Sequence, residues 1–415
     1  MASRLQQVSG HLAPSNGSAN KIGHKSPEDV VIVSALRSAI TRARKGGFKD
    51  SLPEEMLSGV FKGVIEQSKI DPALVNDITV GTVLAQGGGA TNARMAALHA
   101  GFPESTAIST VNRQCSSGLQ AVVQIATAIQ TGLIEIGIGA GFESMTKNYG
   151  ATSLAPTSEK ISDECASAAD CLIPMGITSE NVASDYKVSR AKQDEFAASS
   201  HTKALEAQKN GWFNEEIIPV KATVEDKDGN ETTVVIDKDD GIRPGTTAEK
   251  LAKLRPAFDD EGTTTAGNAS QVSDGAAAVL LMKRKTAEKL GLPVIGKYIT
   301  SAVVGVPPRI MGVGPAYAIP AALEKAGISV NDVDLYEINE AFASQAVFSV
   351  DKLSIPYEKV NINGGAIALG HPLGVTGARQ IATLMSALKR TNKKVGVTSM
   401  CIGSGMGMAA VFERE

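Results

Sequence analysis

A short, mostly apolar run, Val30-Val31-Ile32-Val33-Ser34-Ala35, opens the globular part of this chain, and similar runs return at residues 78–83, 108–111 and 134–139. Such a run, without strict alternation, suits a strand buried on both faces. Helical stretches lie between the runs, at residues 52–67 and 116–130. In the second, Leu119, Val122, Val123, Ala126 and Ile129 keep one apolar face at helical spacing. Strands alternating with helices restrict the chain to layered α/β architectures. With 415 residues, two or three domains are expected.

The plan repeats. Val360-Asn361 is followed by residues 375–383 much as Val111-Asn112 is followed by residues 116–120. Residues 70–78 and 328–334 also match, each reading as a helix end, a turn and a buried strand. We read a duplicated α/β unit. Residues from about 150 to 260 depart from it, with a capped helix at 175–183 and another at 191–209. Two alternating runs follow, at 217–224 and 231–237, around Asp228-Gly229, which signals a hairpin. Residues 262–284 should return to the first half as a closing strand. Residues 1–27 are polar, with no acid before Glu28, and read as a flexible targeting extension. The expected division is therefore 1–27, 28–150 with 262–284, 151–261, and 285–415.

Hydrophobic content of 43% with 4% aromatics predicts a core of Val, Ile, Leu and Ala. A net charge of −3 argues against a nucleic-acid partner, which needs a strongly basic face. No apolar run approaches the ~20 residues of a membrane span, so the chain reads as soluble. Four cysteines without regular spacing point to a reducing compartment. No cluster has metal-ligand spacing, so no metal is expected, and Cys165 and Cys171 read as ordinary structural thiols.

Two other cysteines are placed differently. Cys115, in Asn112-Arg113-Gln114-Cys115-Ser116-Ser117-Gly118, directly precedes a helical pattern, where the dipole favours a thiolate. Cys401 follows a strand-like run and precedes Gly403, Gly405 and Gly407; between the two thiols comes Gly370-His371-Pro372. Glycine-rich surroundings let backbone N–H groups approach a developing charge. Two thiols and an imidazole in such settings read as covalent acyl chemistry. The plainer readings stay open at this point: a buried cap for Cys115, a solvated loop histidine, a structural thiol at Cys401, an N-cap for Asn339. The glycines do not form a dinucleotide fingerprint, because they precede a strand, and NAD binding is rejected.

These segments, with Thr265-Ala266-Gly267-Asn268-Ala269-Ser270 and Asn339-Glu340-Ala341-Phe342, give a chain that resembles the thiolases, most closely their peroxisomal 3-ketoacyl-CoA branch; the match runs over residues 29–415 in the family's order. The resemblance implies a five-layer αβαβα sandwich of two duplicated halves, with residues 151–261 as an inserted loop domain over the substrate. It implies Cys115 as nucleophile, His371 as base and oxyanion donor, and Cys401 as acid/base. Asn339 would hold a water in one oxyanion hole, and the Gly403 N–H would join that of Cys115 in a second. Ser270, Arg243 and Phe258 would contact coenzyme A, a substrate and not a resident cofactor, and the protein would be a homodimer. A biosynthetic acetoacetyl-CoA thiolase is the nearest alternative. A ketoacyl synthase of the same fold is disfavoured by the second cysteine, and a non-catalytic scaffold or lipid carrier by the intact Cys115, His371 and Cys401.

At the N-terminus, Leu5, Val8 and Leu12 share one helical face beside Arg4 and His11. Arg4-Leu5, five residues, then His11-Leu12 resembles a type-2 peroxisomal targeting signal, which implies a peroxisomal import receptor as partner. A mitochondrial presequence is the rival reading, weakened because only Arg4 supplies an arginine there. The C-terminal residues lack a Ser-Lys-Leu type signal.

Overall fold

The computed structural model describes residues 21–150 and 156–415; Arg4, Leu5, Val8, His11 and Leu12 lie outside them. The first half runs β1 (Val30–Arg37), β2 (Thr41–Arg42), α1 (Pro53–Ser68), β3 (Asp77–Gly81), α2 (Ala90–Ala100), β4 (Ala107–Val111), α3 (Ser117–Gln130) and β5 (Ile136–Ser144). The intervening region carries α4 (Met175–Asp185), α5 (Arg190–Lys209) and the hairpin β6 (Val220–Glu225) and β7 (Glu231–Ile236), after which β8 (Ser273–Lys283) comes back between β1 and β5. The second half runs β9 (Gly296–Gly305), α6 (Gly314–Ala326), β10 (Leu335–Ile338), α7 (Ala343–Lys352), α8 (Thr376–Arg390), β11 (Val395–Ile402) and β12 (Met406–Arg414).

Strand order shows the duplication. One half reads β4-β3-β5-β8-β1 and the other β10-β11-β12-β9, with Val360 bridged parallel to Tyr336 where β4 stands in the first half. In the first, β4, β3 and β5 are parallel and the next pairings antiparallel; in the second, β10 and β11 are parallel and the next pairings antiparallel. Edge to edge, the halves pair through Val31↔Lys297 and Ile32↔Gly296.

Three apolar clusters explain the layers. The first joins α1 and α2 to the outer face of the first sheet, through residues such as Met56, Phe61, Ala97 and Phe142. The third joins α6 and α7 to the outer face of the second, through Ile319, Leu323 and Val350. Between the sheets lie α3 and α8, whose Leu119, Val122, Ile125, Ile381, Leu384 and Leu388 pack against both. That is the five-layer sandwich. Strand β4 differs from its expected double burial: it is the sheet's edge and stays partly exposed.

Residues 21–27 correct the expectation of a flexible extension as far as they are described. Gly23 N donates to Glu413 Oε1 at 2.9 Å, Lys297 Nζ donates to the carbonyls of Lys21 and His24, and Lys25 pairs with Glu415. The helix at α4 also lacks the side-chain cap expected of it, since Pro174 holds the N-cap position.

Candidate active site

The middle layer sets the site. Gly377, in the first turn of α8, lies so close to α3 that a Cβ there would fall 2.2 Å from Leu119 N; one on Gly118 would fall 2.7 Å from Gly374 O. The N-terminal ends of α3 and α8 therefore abut, backbone to backbone. Cys115 stands just before α3 and His371 just before α8, so residues far apart in sequence meet at the two helix starts.

Cys115 sits on a tight turn. Gln114 has φ 47°, in the left-handed region that a non-glycine residue seldom adopts. The turn is pinned by Gln114 N donating to Asn112 Oδ1 at 2.9 Å and Ser117 Oγ accepting from Arg113 N at 2.9 Å. Cys115 is nearly buried, and burial pushes its thiol up; a backbone bond from Gly403 N–H opposes this without reversing it. Desolvation thus outweighs the helix dipole that was expected to favour the thiolate. The resting sulfur is a protonated thiol and needs a base.

His371, which lines the same cavity as Cys115, is the candidate. Its loop position follows from the short helix Ala366–Leu369, which ends at Gly370 (φ 113°). Nδ1 lies 2.6 Å from Thr376 Oγ1, and that hydroxyl donates to Pro372 O at 3.1 Å. A hydroxyl has one proton, so it must accept from Nδ1–H, which leaves Nε2 unprotonated, an acceptor for the Asn339 amide. Burial, with a smaller contribution from Arg379, lowers the imidazole to about 3, so it is neutral at physiological pH. Nε2 stands 3.2 Å from Asn339 Nδ2.

Asn339 is not a helix cap. α7 begins at Ala343 with Phe342 as its N-cap, because the preceding segment is held extended. Phe342 bridges Ala269, and Ser270 N donates to Ala341 O at 2.9 Å. Gln345 Nε2 donates to Asn339 O at 2.6 Å, and the buried Asn339 Oδ1 has no partner among the described residues. Such an orphaned acceptor fits a role in holding a water.

Cys401 lies within β11, opposite Gly407 and fully buried against Met311 and Ala341. Burial, then the neighbouring Cys115 charge, drives its thiol well above the ordinary range. An ionised Cys115 would therefore be felt at Cys401. The β11–β12 turn needs Gly405 (φ 91°), whose added Cβ would fall 2.4 Å from Val306 O; a Cβ on Gly403 would meet only ordinary contacts, Met175 Sδ at 3.7 Å, and Ser404 takes the left-handed position at φ 64°.

A cavity of about 600 Å³ opens onto this chemistry. Cys115, His371 and Gly403 are on its wall with Ser270, Arg243 and Phe258; Cys401 and Asn339 do not line it, and Cys401 packs against the lining residues Met311 and Ala341. Exposed Arg42, Lys45 and Arg243 give the wall three cations; Met145, Met175, Met311, Leu373 and Phe342 give it an apolar stretch. Phe258 leans edge-on to Phe342 at 6.3 Å and leaves no room for a side chain at Gly176. Cys165 and Cys171, read as structural thiols, are both exposed on surface segments and pack in no core. Sequence reasoning missed Thr376 and Gln345. The hydroxyl five residues after His371, at the first position of a helix, was the available signal for Thr376; Gln345 had none, since it reads as an ordinary helix residue.

The chain matches the family model described as thiolase, N-terminal domain, over residues 30–285, and thiolase, C-terminal domain, over 292–414. It is 57% identical to a Yarrowia lipolytica protein named 3-ketoacyl-CoA thiolase, peroxisomal, over all of this chain and 99% of that one. It is 56% identical to the rat 3-ketoacyl-CoA thiolase B, peroxisomal, over 99% of both. The crystal structure of the dimeric peroxisomal thiolase of Saccharomyces cerevisiae superposes with a TM-score of 0.88 at 51% identity, covering 95% of this chain and 99% of that one. The Bacillus anthracis acetyl-CoA acetyltransferase superposes with 0.84 at 38% identity, covering 93% and 99%.

Proposed function

This chain belongs to the thiolase family, and from that premise we propose that it cleaves 3-ketoacyl-CoA with CoA, giving acetyl-CoA and a shortened acyl-CoA. The observation that carries the reading is the pairing of a protonated, nearly buried Cys115 with a neutral His371 whose tautomer is fixed, on one cavity wall.

His371 Nε2 takes the Cys115 proton as the sulfur attacks the C3 carbonyl. The tetrahedral adduct collapses with loss of the C2–C3 bond, leaving an acyl thioester on Cys115 and the enolate of acetyl-CoA. The Gly403 and Cys115 N–H groups receive the oxyanion at C3; protonated His371 and the water on Asn339 receive the thioester oxygen of the enolate. Cys401 gives its proton to C2, which its high pKa suits, since a carbanion needs only a weak acid nearby. In the second half-reaction Cys401 regains a proton from CoA-SH, whose thiolate attacks the acyl group. Cys115 leaves as thiolate and recovers its proton from His371.

Ser270, Arg243 and Phe258 contact the CoA portion, and residues 151–261 act as the loop domain over it. Coenzyme A comes and goes as substrate, with no resident cofactor. The protein works as a homodimer in the peroxisome, and an import receptor reads its first residues. Higher identity to peroxisomal relatives than to the acetyltransferase favours degradation over the biosynthetic acetoacetyl-CoA reaction. The test compares thiolysis of acetoacetyl-CoA and of a long-chain 3-ketoacyl-CoA by the purified protein. Cleavage of the long chain is expected; activity confined to acetoacetyl-CoA would favour the biosynthetic reading, and no cleavage of either would refute both.

A further inference from the structure

Glu143 lies near the end of β5, in a strand whose every residue is buried. Its carboxylate is 1% exposed, and among the described residues no cation pairs with it. Four donors converge on it instead. Thr82 Oγ1 and Leu84 N each donate to Oε1 at 3.1 Å, and Val83 N and Gly374 N each donate to Oε2 at 2.9 Å. A buried carboxylate without a countercharge is costly, and a neutral residue would fill the same space more cheaply. Burial pushes the carboxyl up to about 7 although all four donors pull it down. The fold tolerates the cost at a place where three segments touch: a Cβ on Gly141 would fall 2.1 Å from Gly374 O, and one on Gly374 would fall 2.6 Å from Thr82 Cα.

Those segments lead to the reacting groups. Gly374 belongs to the loop that carries His371. The 82–84 loop is tied in turn to the nucleophile: Asn112 Nδ2 donates to Val83 O at 3.1 Å, and Asn112 Oδ1 accepts from Gln114 N, next to Cys115. We infer that Glu143 is a positioning residue, whose carboxylate locks the His371 loop to the loop beneath the Cys115 turn and so fixes the separation of base and nucleophile. It touches no substrate, and it acts through both partners. The inference rests on the proposed thiolase reaction.

Glu143→Gln keeps the shape but replaces one acceptor oxygen with an amide that faces N–H donors. A displacement of about 1 Å can cost about 100-fold in rate, so kcat for thiolysis should fall by about that factor with KM for both substrates unchanged. Introduced on a His371→Ala background, the same change should cost nothing further, because the group it aligns is gone. A residue supporting the fold in general would lower kcat by the same factor in both backgrounds, which would overturn the role, as would an E143Q enzyme as active as wild type. Should E143Q not fold, Thr82→Val removes one donor without changing shape; its smaller kcat loss should likewise vanish on the His371→Ala background, and persistence there would overturn the role. Wild-type protein without thiolysis would refute the activity itself, whereas active wild type beside an equally active E143Q refutes only the role of Glu143.

Discussion

Replacing His371 with Asn should change how stability depends on pH, and the size follows from its burial. The imidazole is 4% exposed, and its pKa falls from 6.5 to about 3 in the folded protein, burial being the main cause and Arg379 the lesser one. The folded value is the lower one, so the unfolded chain binds a proton over this range that the native protein refuses. The stabilisation is fully present above pH 6.5 and is lost as pH falls towards about 3. Each pH unit is worth ~1.4 kcal/mol, so going from 6.5 to about pH 5 should cost the wild type about 2 kcal/mol through this one group. His371→Asn has no such proton to refuse. His201, lowered to about 4 by burial, adds acid loss of the same sign; Glu143 and Glu337, raised to about 7 and about 8 by burial, oppose it. These three remain in both proteins and cancel in the comparison. Urea unfolding at both pH values, at one protein concentration because subunit association shifts midpoints, should give a variant less stable near neutrality but flatter with pH by about 2 kcal/mol. Parallel dependences would show that His371 is not held neutral, and the argument for it as a resting base would fail.

Cys401→Ala should still exchange acyl groups between CoA and Cys115, while carbon–carbon cleavage falls ~10²–10⁴-fold, the usual contribution of a general acid–base group; near-normal thiolysis, measured by acetyl-CoA release, would remove Cys401 from the reaction. Residues 1–27 fused to a fluorescent reporter should direct it to peroxisomes, and Arg4→Asp or His11→Asp should abolish that. Microscopy showing a cytosolic or mitochondrial reporter would overturn the assignment.

The duplication was legible because it lives in local patterns. The turns before β3 and β10 each carry a short 3-10 segment, Pro72–Leu74 and Val330–Asp332, where the two sequences echo one another. Val111 and Val360 do the same job at the ends of their halves. Helix α2 was not legible, because Gly87, Gly88 and Gly89, all left-handed, mask its start. The candidate residues Cys115, His371 and Cys401 stood out by residue type and glycine context. Their ionisation did not: the helix start promised an activated thiolate at Cys115, whereas burial, a tertiary property, leaves a thiol. Glu143 shows the remaining gap. A lone acid in Gly141-Phe142-Glu143-Ser144 was visible in the sequence, but its four donors come from segments some 60 and 231 positions away.

The central claim is that Cys115 alone carries the acyl group. Brief incubation with labelled acetyl-CoA, acid quenching and peptide mass spectrometry test it directly. The account predicts an acetyl thioester on the peptide containing Cys115, lost in Cys115→Ala and discharged by added CoA. Stable label on Cys401, Cys165 or Cys171, or turnover by the Cys115→Ala protein, would contradict it.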